Sequence, residues 1–151
     1  MRSSIVLASA LVALATTGCN GTVRVSGGAE PMVGTYTMVE ENGQPLPSDP
    51  SAPYGCCITL AGALTLSATT YELRTSHRNK VNGMLFDNSE RGTWVRDGRT
   101  IRFTRTSGGG AGYPYLLAPG TLSADGTTVT LLYGDEGPGS DQTRGVFRKG
   151  G

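Results

Sequence analysis

Arg91-Gly92-Thr93-Trp94-Val95-Arg96, Asp97-Gly98, Arg99-Thr100-Ile101-Arg102-Phe103 is the stretch that decides the fold. Asp-Gly between two alternating runs is a strong signal for a two-residue hairpin loop. Such a loop sets Arg96 against Arg99, Trp94 against Ile101 and Gly92 against Phe103. Trp94, Ile101 and Phe103 then share one face with the period of two that a strand imposes, and Thr93, Val95, Thr100 and Arg102 share the other, wetter face.

Working outward, the same reading applies at Asp125-Gly126, which sets Leu122 against Val129 and groups Leu122, Val129, Leu131 and Tyr133. A loop at Ala68-Thr69 sets Leu66 against Tyr71 and Leu64 against Leu73, leaving Thr65, Glu72 and Arg74 outside; Ala-Thr suits positive φ poorly, so a wider turn is the alternative. Val33 to Glu40 reads as a first strand, Tyr113 to Ser123 as one strand bent at Pro119-Gly120, and Thr143 to Arg148 as the last. That makes about eight strands in sequence, the number at which an antiparallel meander closes into an up-and-down barrel. A β-sandwich or β-roll is the competing all-β architecture. Asn42-Gly43 followed by Pro45, Pro47, Pro50 and Pro53 reads as a long connection lying across one barrel mouth, because repeated proline cannot serve a central ladder.

At the start of the chain Arg2 precedes an apolar and small run from Ile5 to Ala15 that ends in Thr16-Thr17-Gly18-Cys19. These nineteen residues resemble a bacterial lipoprotein signal. The run suits a secretory h-region and is shorter than the roughly 20 residues a membrane-spanning helix needs. The resemblance implies cleavage after Gly18 and lipidation, palmitate included, at Cys19, with Thr16 standing where such signals usually carry Leu. A plain secretory signal cut near Ala15 or Gly18 is the alternative. Residues 1–18 are thus read as signal peptide, Cys19 to Pro31 as lipidated cysteine and polar tether, and 32–149 as the barrel domain. A dozen tether residues hold the domain roughly 20 Å from its anchor. Asn20 after the cysteine favours the outer membrane, with the barrel facing the periplasm.

Composition bounds the function. About 130 residues after the signal support one domain and one modest core. Of the 13 basic side chains, Arg2 leaves with the signal, and the remaining 12 balance 12 acidic ones. That balance offers no basic face for nucleic acid and no polybasic grip on lipid. Membrane attachment rests on acyl chains, which hold stably when there are two or more.

Gly34-Thr35-Tyr36, Asn42-Gly43-Gln44-Pro45-Leu46-Pro47, Leu64-Thr65-Leu66, Gly92-Thr93-Trp94 and Gly145-Val146-Phe147-Arg148 together resemble the small lipocalin-like lipoproteins of bacterial envelopes, over residues 32–149. The resemblance implies a barrel with Tyr36 as the floor aromatic, Arg148 packed over it as the cation, and an interior that often holds small apolar molecules. The candidate lining is Tyr36, Leu64, Leu66, Tyr71, Leu73, Trp94, Ile101, Phe103, Leu122, Val129 and Leu131. A small apolar ligand or an envelope protein is the expected partner, besides the membrane itself. A protein-interaction scaffold or inhibitor built on a filled barrel is the second reading.

No catalytic residue, metal site or cofactor is expected. His77 is the sole histidine; parity with Tyr71 and Leu73 aims it inward near a mouth, among the polar residues Ser76, Arg78, Asn79 and Lys80 of a strand end. Cys56-Cys57 is a possible vicinal disulfide, read either as a redox element or as a passive bridge or thiol pair, its adjacent Cα atoms lying closer than in ordinary disulfides. Asp135, Glu136 and Asp141 match no calcium loop. Gly108-Gly109-Gly110 lacks the Lys and Ser/Thr of a phosphate cradle.

Overall fold

The computed structural model describes residues 32–49, 56–108, 115–116, 119–134 and 142–150. The strands are β1 (Gly34–Glu41), β2 (Gln44–Pro45), β3 (Cys57–Leu66), β4 (Thr70–Asn79), β5 (Leu85–Asp97), β6 (Thr100–Gly108), β7 (Tyr115–Leu116), β8 (Gly120–Leu122), β9 (Thr128–Gly134) and β10 (Thr143–Lys149). Antiparallel pairs run in the order β1, β3, β4, β5, β6, β8, β9, β10, and β10 returns to β1. The all-β expectation is met by a closed antiparallel barrel of eight strands. β7 and β8 pair the same edge of β9, since β10 occupies the other, so the expected bent strand is present as two pieces.

The turns explain both the agreements and one correction. Ser67 N–H donates to Thr70 O, giving the expected pairs Leu66 with Tyr71 and Leu64 with Leu73. Leu122 faces Val129 as expected, but through a four-residue loop. There Gly126 takes φ +74° and donates to Ser123 O, while Asp125 Oδ1 accepts from the Ser123 hydroxyl and the Thr127 amide. Those two bonds hold the exposed Asp125 carboxyl down at about 2.

The Asp97-Gly98 loop is displaced by one residue. Asp97 pairs with Thr100, Arg96 with Ile101 and Trp94 with Phe103, so Trp94 does not face Ile101. The loop residues are Gly98, at φ +59°, and Arg99, the pattern of a type II′ turn. That turn asks positive φ of glycine alone, whereas a loop on Asp97-Gly98 asks it of Asp97 and sets two arginines face to face. The partner slides by two residues, so every side chain keeps its face: Ile101 is buried and Val95 is 63% exposed.

The barrel has two unlike ends. At the floor, where the 67–70, 97–100 and 123–128 turns lie, Tyr36, Leu64, Leu66, Ile101, Leu122, Val129, Leu131 and Phe147 are fully buried in one cluster. Tyr36 donates to Met32 O and Gly126 O, 3.2 and 3.4 Å away. Arg148 does not cover it, a second correction. Arg148 pairs with Thr37 and both are exposed, while Lys149 sits opposite Tyr36, so the expected cation is one residue out of register. The charge that acts on the Tyr36 hydroxyl is Arg96.

Inward glycines make room for the large side chains. A Cβ on Gly92 would lie 2.0 Å from Thr104 O and 2.7 Å from the Tyr71 ring; one on Gly145 would meet Tyr133 and Phe147. Tyr71 over Gly92 stacks edge to face on Phe103, ring centroids 4.9 Å apart.

Candidate binding site at the barrel mouth

Opposite the floor the interior turns polar. Glu41, Ser48, Thr59, Thr75, Asn88 and Glu90 are buried there, beside half-buried His77 and Phe86. Two β-bulges create part of this lining. In β1 the register shifts between Met38 and Glu40, so the inward series Tyr36, Met38 continues with Glu41. In β3 the shift between Thr59 and Ala61 brings Thr59 inward after Leu64 and Gly62. Bulges commonly re-aim side chains in this way. β4 and β5 run without a bulge against each other, placing Leu73, Thr75 and His77 opposite Glu90, Asn88 and Phe86.

The segment after β1 walls the mouth. Asn42 and Gly43, at φ +49° and +82°, form a tight hairpin pairing Glu41 with Gln44. Ser48 then exchanges two 2.9 Å backbone bonds with Thr59. β2 and Ser48 use the edges of β1 and β3 that face one another, so this segment fills the gap where those strands diverge. The Asn-Gly pair, expected to open a long connection, is a hairpin turn.

Each acid has its own donors. The Glu41 carboxylate accepts from the Ser48 hydroxyl on one oxygen and the Tyr133 hydroxyl on the other. Glu90 Oε1 accepts from the Tyr71 hydroxyl. Burial first, and then these carboxylates, hold the Tyr133 and Tyr71 hydroxyls well above the usual tyrosine range. His77 lies between Thr75 Oγ1, 2.8 Å from Nε2, and Thr59 Oγ1, 3.3 Å from Nδ1, and stacks on Phe86 at 5.3 Å. Burial pushes its pKa down, against the opposing charges of Glu41 and Asp87. The Asn88 Oδ1 and Glu90 Oε2 atoms are buried without a hydrogen-bond donor.

Around the rim, Lys80 pairs with Asp49 at 2.5 Å and its amide donates to Cys56 O. Cys56 and Cys57 are joined by a disulfide, Cα atoms 3.7 Å apart, at the start of β3. Among the described residues no group of three or more His, Cys, Asp or Glu side chains is arranged to hold a metal.

The sequence-derived lining gathers at and just above the floor, and none of it lies at the mouth. Tyr36, Leu64, Leu66, Ile101, Leu122, Val129 and Leu131 pack into the floor, Leu73 and Tyr71 lie between floor and mouth, and Trp94 and Phe103 are half-buried against the cluster. Trp94 donates from Nε1 to Ser67 O at 2.9 Å, so it seals the floor rim. Glu41, Ser48, Thr59, Thr75, Asn88 and Glu90 escaped an apolar criterion. Alternation counted back from Trp94 reaches Glu90 and Asn88, and forward from Leu73 reaches Thr75; nothing in the sequence marks the bulges that turn Glu41 and Thr59 inward. Cys19, the expected lipidation site, lies outside the described residues, as do Asp135, Glu136, Asp141 and the glycines 109–110.

A closed eight-stranded meander with a packed floor and a polar interior at the other end is compatible with the lipocalin-like architecture. No family model, curated protein or solved structure matches the chain.

Proposed function

We propose that this chain is a non-enzymatic, lipid-anchored barrel of the bacterial cell envelope, tethered through Cys19 to the outer membrane and facing the periplasm, that binds a small, partly apolar molecule at its mouth. The observation that carries the binding reading is the buried polar lining above an apolar floor. Burying such groups costs stability unless they are paired, and a floor that already closes the core does not need them. Half-buried Phe86 supplies apolar surface beside them. Orientation by a few placed polar groups against apolar walls is how small-molecule sites are usually built.

Extraction of the full chain from membranes in mild detergent, followed by native mass spectrometry, tests this reading. A bound small molecule released on denaturation supports it. A chain that carries none and takes up none from a membrane extract overturns it.

One observation favours the scaffold alternative. Val81, Met84 and Leu85, at the β4–β5 turn, are 92%, 58% and 67% exposed. In that reading the turn contacts an envelope protein, and crosslinking from position 81 captures one specific partner.

A further inference from the structure

Two side chains of β5 point to the chemistry of the ligand, and the inference rests on the small-molecule reading above. Asn88 and Glu90, 6% and 3% exposed, are successive residues on the inward face, opposite Thr75 and Leu73. Asn88 Oδ1 and Glu90 Oε2 have no hydrogen-bond donor. Buried polar atoms in native proteins are nearly always paired, and leaving a charged one open is the costlier case. Both open positions are acceptors, so whatever completes them donates at two points. Successive same-face residues of a strand lie about 7 Å apart, near enough for one compact group with several N–H bonds to reach both.

Charge sharpens the choice. Among the described residues the buried charged side chains are Glu41 and Glu90, both acids. Glu41 has a donor on each oxygen, and Glu90 has one, from Tyr71, on Oε1 only. Arg105 is exposed and acts on the Tyr71 hydroxyl, yet Glu90 Oε2 remains without a donor. We infer that the mouth is a receptor for a cationic, hydrogen-bond-donating head group, a primary ammonium or amidinium, with Glu90 as counter-ion and Asn88 as second acceptor. Tyr71 positions the Glu90 carboxylate, and Phe86 flanks the site with an aromatic ring that suits an apolar body.

The test uses the ¹⁵N-labelled full chain in neutral detergent, titrated with benzylammonium, benzyltrimethylammonium, benzyl alcohol and benzoate. Benzylammonium should shift the Asn88 side-chain amide and the 86–90 backbone signals. The trimethyl probe, which lacks N–H donors, and benzoate should bind about tenfold or more weakly, the loss expected for a hydrogen bond to a charged group. Glu90→Gln keeps an acceptor for Tyr71 and should weaken benzylammonium by a similar factor. Should that variant fail to fold, Asn88→Ala takes its place, with the same expectation. Equal binding of benzylammonium and its trimethyl analogue, or no effect of either substitution, overturns the inference. If benzyl alcohol or benzoate binds and benzylammonium does not, the small-molecule reading stands and this one falls. If no probe shifts any barrel signal, this inference falls while membrane extraction still decides the broader reading.

Discussion

The Tyr71 hydroxyl donates along the inner face, from β4 to the neighbouring β5, to the buried carboxylate of Glu90, tying the ring that covers Gly92 to a buried acid. The bond joins the middle of the interior, where Tyr71 and Leu73 lie, to the polar lining above it. Removing it should therefore be felt at both. Tyr71→Phe leaves Glu90 without its donor and should destabilise the barrel by about 1–3 kcal/mol. Chemical denaturation checks this, and a double-mutant cycle with Glu90→Gln should show strong coupling.

Alkaline stability follows from the buried hydroxyls. Tyr36, Tyr71 and Tyr133 all titrate above the ordinary tyrosine range, burial being the main cause in each. Above pH of about 10 the unfolded chain loses these protons while the folded one retains them, so stability falls as pH rises. Thermal melts across pH 9–11 should show this decline, and Tyr133→Phe should flatten it.

An acid limb mirrors it. Burial lowers the His77 pKa, so the folded protein resists taking up a proton that the unfolded chain binds below about 6.5. His77 thus contributes stability that fades as pH drops through that window. NMR titration should place its midpoint below that of a free histidine; a midpoint at or above 6.5 contradicts the buried placement.

Trp94→Ala removes a half-buried indole and its bond to Ser67 O, and should cost about 2–3 kcal/mol, below the 3–5 of a fully buried aromatic. Val95→Ala, on the outer face, should cost under about 0.5 kcal/mol. Because Trp94 sits at the floor, its emission should change little when a ligand enters the mouth. Urea titrations and one fluorescence titration check all three statements.

Glycines of two kinds should respond differently to alanine. Gly92→Ala drives a methyl into the Thr104 carbonyl and should cost about 3 kcal/mol or more. Gly43→Ala meets open space and bears only the strain of its positive φ, about 1 kcal/mol. Thermal unfolding separates the two.

The strand pattern was legible because hairpin turns and period-two alternation are local. Leu64 with Leu73 and Leu122 with Val129 needed nothing beyond a turn and a parity count. The β5–β6 register was not, since Asp97-Gly98-Arg99 allows two turn types whose choice depends on φ at Asp97 and on two facing arginines. The mouth was half legible. Asn88 and Glu90 follow from the alternation that places Trp94, but their polarity hid them from a search for apolar lining. Glu41 depends on a bulge at Val39 set by pairing with the distant β10, and Thr59 on one at Leu60 within the β3–β4 hairpin, which neither the turn nor the parity count marks. The β1–β10 register is non-local too, and it sets Lys149 in place of Arg148 opposite Tyr36.

Ring closure also constrains how the chain reaches this state. Tyr36 pairs with Lys149, about 110 residues away, and Met38 with Phe147. Contacts of such long sequence separation slow folding, because the entropy of closing the loop is lost before the contact returns anything. Until Thr143–Lys149 docks, β1 and β9 each keep an unpaired edge, and open edges invite strands from other chains. The last strand is then a timing element as well as a wall, because both open edges close only when it docks.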